Sequence, residues 1–112
     1  MNVYDTANKL AEEIKESVEF QNFKKAKEEI EKLPELKVLL EEFEKMRYEI
    51  QIAAMQGKEP IDEKTEQMQK KYAQLIEKEH MKEYFDSEFK FNVLLGDVNK
   101  IISEAVRELL EK

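Results

Sequence analysis

Between Pro34 and Gly57 the chain reads PELKVLLEEFEKMRYEIQIAAMQG, which commits it to at least one long amphipathic helix. Pro34 suits a first helical turn, where its missing N–H would have no intrahelical acceptor anyway, and Gly57 suits the left-handed residue just past a helix end. Between them Leu36, Leu39, Leu40, Phe43, Met46, Ile50 and Ala53, joined by Ala54, repeat at three- and four-residue intervals. A stripe sustained in this way packs along a nearly parallel or antiparallel partner helix. At about 1.5 Å per residue the segment spans roughly 30 Å.

The rest of the chain follows the same period. Tyr4, Ala7, Leu10, Ala11, Ile14 and Val18 share one stripe, with Asn2 placed to cap its start and Asp5 favourable in its first turn. Ser17 marks a stop and restart, after which Phe20, Phe23, Ala26, Ile30 and Leu33 form a second stripe. GKEPID is a strong connector, with Asp62 expected to cap a fourth helix that carries Met68, Tyr72, Leu75 and Ile76 on one face. Met81, Tyr84 and Phe85 fall off that stripe, so the end of the fourth helix either wraps under a neighbour or offers a second apolar surface. A new cap is available near Asp86 and Ser87, and Phe91, Leu94, Leu95, Val98, Ile101, Ile102, Ala105 and Leu109 define the last helix. No stretch alternates with the period of a strand.

These elements predict an all-α fold, a single helical domain over residues 1–112, arranged as an antiparallel hairpin or bundle of about four to five helices. In 112 residues such long stripes are hard to bury within one copy, so the core is expected to be completed by homo-oligomerisation, as a homodimer or larger. Leu39, Phe43, Met46, Ile50, Met81, Phe85, Leu95, Val98 and Ile102 are the expected self-association residues.

Charge excludes some functions. The net charge is −7, with nine Lys/Arg against thirteen Asp/Glu before Gly57 and ten against thirteen after it, so neither half is a basic module. Binding a polyanion depends on Lys and Arg displacing counterions, and direct nucleic-acid or anionic-membrane binding is therefore not expected. The chain has no cysteine, which removes disulfides, thiolate metal sites and cysteine nucleophiles. No apolar run approaches the roughly 18 residues of a membrane span, and MNVYDTANKL lacks the layout of a signal peptide, so a cytoplasmic location is expected.

Catalytic and metal-binding patterns are sparse. Glu77 and His80 in EKEH match the Glu-x-x-His spacing of di-iron carboxylate bundles, and a symmetric dimer could supply a second copy. Placed on the helix of Tyr72, however, Glu77 points about 140° from that residue and largely away from the apolar stripe. His80 reads better as an exposed or partly covered histidine, and no metal or cofactor is expected. The 26 acids lie among charged neighbours, without the burial that separates the pKa values of a catalytic pair. LLGDVNK, around Gly96, lacks the further glycines, the Lys-Ser/Thr and the preceding strand of a phosphate loop. Gly96 reads instead as a close helix crossing or a mild kink, since glycine inside a helix costs about 1 kcal/mol relative to alanine.

The opening NVYDTANKLAEEIKESVEFQNFKKAKEEI, the central MQGKEPID and the closing LLGDVNKIISEAV together resemble the YheA/YmcA/YlbF family of small helical bacterial proteins. The resemblance implies an all-helical, self-associating protein from Gram-positive bacteria with no established enzymatic activity. Its YmcA and YlbF branches are accessory regulators of competence, sporulation and biofilm formation, working in a complex linked to ribonuclease-dependent mRNA processing. By that analogy an RNA-processing adaptor is one alternative role, and a bundle metalloprotein using Glu77 and His80 is another. YlbF-type members carry a cysteine-rich C-terminal tail associated with iron–sulfur chemistry. The ending RELLEK has none, which favours the YheA-like branch.

Overall fold

In a computed structural model that describes residues 2–57 and 62–110, the chain forms five α-helices and, among the described residues, no strand. They are α1 (Val3–Glu16), α2 (Val18–Glu31), α3 (Pro34–Met55), α4 (Asp62–Leu75) and α5 (Glu79–Leu110). Connector residues 58–61 and the side chain of Asp62, the expected cap of α4, lie outside the described residues.

The helix ends follow from local chemistry. Asn2 Oδ1 accepts from the Asp5 N–H at 2.9 Å, satisfying one of the donors that a helix start leaves open. Ser17 separates α1 from α2 and serves both. Its hydroxyl donates to the Ile14 carbonyl at 2.6 Å and accepts from the Phe20 N–H at 3.1 Å, so one side chain closes the first helix and opens the second. Ser17→Ala is expected to destabilise the protein by about 1 kcal/mol, the usual cost of a lost N-cap, measurable by urea unfolding. Pro34 occupies the first turn of α3, and Gly57 has φ +76° just beyond its end, a conformation that an L side chain adopts only at a cost.

One boundary differs from expectation. α4 ends at Leu75, residues 76–78 turn, and α5 then runs without interruption from Glu79 through Asp86 and Ser87 to Leu110. Ser87 is a buried residue inside α5 and not a cap between two helices. Met81, Tyr84 and Phe85 leave the stripe of Tyr72 and Leu75 because they belong to the next helix. Their change of phase is the sequence trace of the turn.

The chain packs as two compact units, one of residues 27–85 and one of residues 1–26 with 86–112. The first has a conventional core. Ile30, Leu40, Phe43, Leu75, Met81, Tyr84 and Phe85 are each 9% exposed or less, and Met81 is wholly covered. Aromatic rings form its centre: Phe85 lies 5.3 Å from Phe43, 5.0 Å from Tyr72 and 5.2 Å from Tyr84 between centroids, each edge-on. Such edge-to-face pairs add to the gain from burial. α3 and α4 are antiparallel in this unit: Glu42 bonds Lys71 at 2.6 Å, while Glu49, further along α3, meets the earlier Lys64 at 3.6 Å. These pairs are substantially exposed and fix register more than they stabilise.

The second unit is built differently. Phe91 packs against Phe20 and Phe23, both at 5.8 Å between centroids, but none of the unit's described large apolar side chains is buried. Its buried residues, Ala26 and Ser87, are small.

Candidate interaction surfaces

Surface chemistry in the unit of residues 27–85 centres on an open groove of about 540 Å³. Ile30, Leu40 and Tyr84 floor it, and Lys27, Glu44 and Tyr48 stand on its rim. Apolar floor and mixed-charge rim suit contact with a protein side chain. They present no nucleophile paired with a base and no cluster of metal ligands. Glu44 is engaged with Arg47 through both carboxylate oxygens at 2.6 Å, and the Arg47 guanidinium lies 5.5 Å from the Phe43 ring centre. This charge pair seals the edge of the aromatic core.

Glu77 and His80 do not form the helical pair that their spacing suggests. Glu77 sits in the turn between α4 and α5 and His80 in the first turn of α5, both exposed. A bundle metal site needs its Glu-x-x-His on one continuous helix facing the interior, and the turn breaks that geometry. Among the described residues no group of three or more His, Asp or Glu is placed to hold a metal ion.

The expected self-association residues separate into two sets. Phe43, Met81 and Phe85 are 4%, 0% and 5% exposed, so their side chains are used within the chain's own core and offer nothing to a second copy. Leu39, Met46 and Ile50 are half-buried on α3. Leu95 and Val98 are half-buried on α5, and Ile102 is 52% exposed. Beyond Val98 every described residue of α5 is exposed, including Ile101, Val106, Leu109 and Leu110, while α1 buries no residue at all.

Two exposed apolar residues lay outside the sequence expectation. Phe89 and Val93 are 58% and 49% exposed and lie one turn apart, on the face of α5 opposite Phe91. Their i, i+4 spacing is a visible signal, hidden by the stronger stripe on the other side. Gly96 shares this exposed side. A Cβ built there meets nothing within 4 Å, so no close helix crossing within the chain requires glycine. Gly96→Ala is therefore expected to stabilise the isolated chain by up to about 1 kcal/mol, through higher helix propensity and a less flexible unfolded state, read as a raised melting temperature.

This arrangement of five helices with apolar surface in place of a reaction centre has known counterparts. The family model described as control of competence regulator ComK, YlbF/YmcA, matches residues 3–107. The chain belongs to the YlbF/YmcA family. Within it, a UPF0342 protein of Caldicellulosiruptor saccharolyticus is 40% identical over 105 residues, covering 94% of this chain and 88% of that one. Another from Symbiobacterium thermophilum is 38% identical, covering 93% of each. A structure described as a protein of unknown function (DUF964) from Bacillus stearothermophilus superposes with a TM-score of 0.82 at 20% identity, over 98% of this chain and 96% of that one. At that identity the likeness concerns the fold, which is all-helical in both. No described helix is long and apolar enough to cross a membrane.

Proposed function

We propose that this protein is a non-enzymatic accessory regulator that works in the cytoplasm through protein–protein contact and self-associates. Its role would be of the kind carried by the regulators of competence, sporulation and biofilm formation in its family. The observation that supports this reading is the exposed apolar surface on α1 and the end of α5, in a chain whose polar side chains form surface ion pairs. Exposed apolar surface on this scale marks a binding face, and a helical accessory protein needs little else. The net charge of −7 favours protein partners over nucleic acid.

Two measurements test the reading. Light scattering on the eluting protein at micromolar concentration should give at least twice the chain mass of 13.4 kDa. A stable monomer would remove self-association. Capture with the tagged chain from its native cells, followed by mass spectrometry, should recover other regulatory proteins. Recovery of metabolic substrates' enzymes alone, or of no protein besides the bait, would count against the regulatory role.

A further inference from the structure

We infer that the apolar faces of α1 and of α5 beyond Val98 close over the same faces of a second copy, supplying a helical core that residues 1–26 and 86–112 lack on their own. The inference rests on the self-association reading above and adds the location of the interface.

The argument begins with what this unit leaves open. Val3 and Tyr4 are each 80% exposed, and on α5 Ile101, Ile102, Val106, Leu109 and Leu110 are exposed by 70%, 52%, 44%, 88% and 78%. Together these seven side chains present on the order of 1,000 Å², the scale of one partner's share in a stable interface. They are aligned as well as exposed. Taking Phe91 as reference at about 100° per residue, Val98, Ile102, Ala105 and Leu109 fall within about 40° of one line along α5. Lys100, Glu104 and Arg107 lie about 140–180° from that line, and Arg107 reaches Glu104 at 3.4 Å on the far side. The apolar line is therefore not interrupted by charge. On α1, Tyr4, Ala7, Ala11 and Ile14 share an arc of about 80°, and the two alanines let another helix approach closely.

The occupant follows from stability. A unit of this size with no large side chain buried cannot balance the entropy of ordering its helices. A partner that completes a core must be present whenever the protein is folded. A second copy always meets that condition, whereas a regulatory partner is present only at times. Two-fold pairing also places the same patch on both sides, apolar against apolar, with the charged side of α5 left to solvent.

The test uses the full chain. Ile102→Glu should raise the dimer dissociation constant about thirtyfold or more, followed by light scattering across a dilution series, while Gly96→Ala should leave it unchanged. Because a charge at position 102 could also unfold the unit, a second readout uses the folded chain and its lack of cysteine. Val106→Cys should be linked into covalent dimers by a short bifunctional maleimide, and Tyr48→Cys, exposed on α3, should not. A monomer at all concentrations overturns both the surface and the self-association reading. A dimer that survives Ile102→Glu and is not linked through Val106→Cys overturns this surface alone.

Discussion

Phe85→Ala is expected to destabilise the protein by about 3–5 kcal/mol, the cost of removing a buried phenylalanine whose site cannot collapse. Phe85 is 5% exposed and its ring is held edge-on by Phe43, Tyr72 and Tyr84, so the void would be lined by three aromatic rings from separate parts of the chain. Small domains are stable by roughly 5–15 kcal/mol, which makes this loss a large fraction of the total. Urea unfolding followed by circular dichroism should show the midpoint fall sharply. Phe85→Leu should recover much of the loss, since it restores most of the volume. A wild-type midpoint for Phe85→Ala would mean that the aromatic cluster does not hold this unit together.

Met81→Lys should cost more, above about 4 kcal/mol, because it places a cation where the native side chain has no exposure to water. Met81→Leu, close in volume and equally apolar, should cost less than about 1.5 kcal/mol. The pair separates two roles for the residue. If Met81 belonged to a contact between copies, the effect of lysine would depend on protein concentration. As a core residue of its own chain, Met81→Lys should unfold the protein equally at low and high concentration. Thermal melts at two concentrations a hundredfold apart distinguish these outcomes.

Met81 and Phe85 also show where the sequence could and could not be read. Asn2, Ser17, Pro34 and Gly57 each act through their own chemistry, a side-chain acceptor, a hydroxyl, a fixed φ and a left-handed backbone, so four helix ends were legible directly. The turn after Leu75 carries no such residue. Ile76, Glu77 and Lys78 are all acceptable in a helix, and the chain breaks there while burying Leu75 on one side of the turn and Met81 on the other. That is a tertiary preference overriding local propensity. It left only a shift in apolar phase as evidence, and the cap residues at Asp86 and Ser87 offered a more obvious place to cut. The apolar stripes themselves were fully visible, but a stripe does not say whether it faces its own chain or another. Phe43 and Ile102 look alike in the sequence, and burial separates them, at 4% and 52% exposed.

The exposure gradient along α5 carries a consequence for behaviour in dilute solution. Amide protons near Met81 and Phe85 are protected by a core that the chain makes alone, whereas those beyond Val98 depend on whatever covers the end of the helix. Hydrogen exchange at the two ends of this one helix should thus respond differently to dilution, slow and constant near residue 81, increasingly fast near residue 106. Proteolysis of dilute protein should begin in the same C-terminal segment. Mass action then makes the order of half the molecule a reading of how much of it is present, so the amount of this chain in a cell would itself set how much of its surface is available to bind.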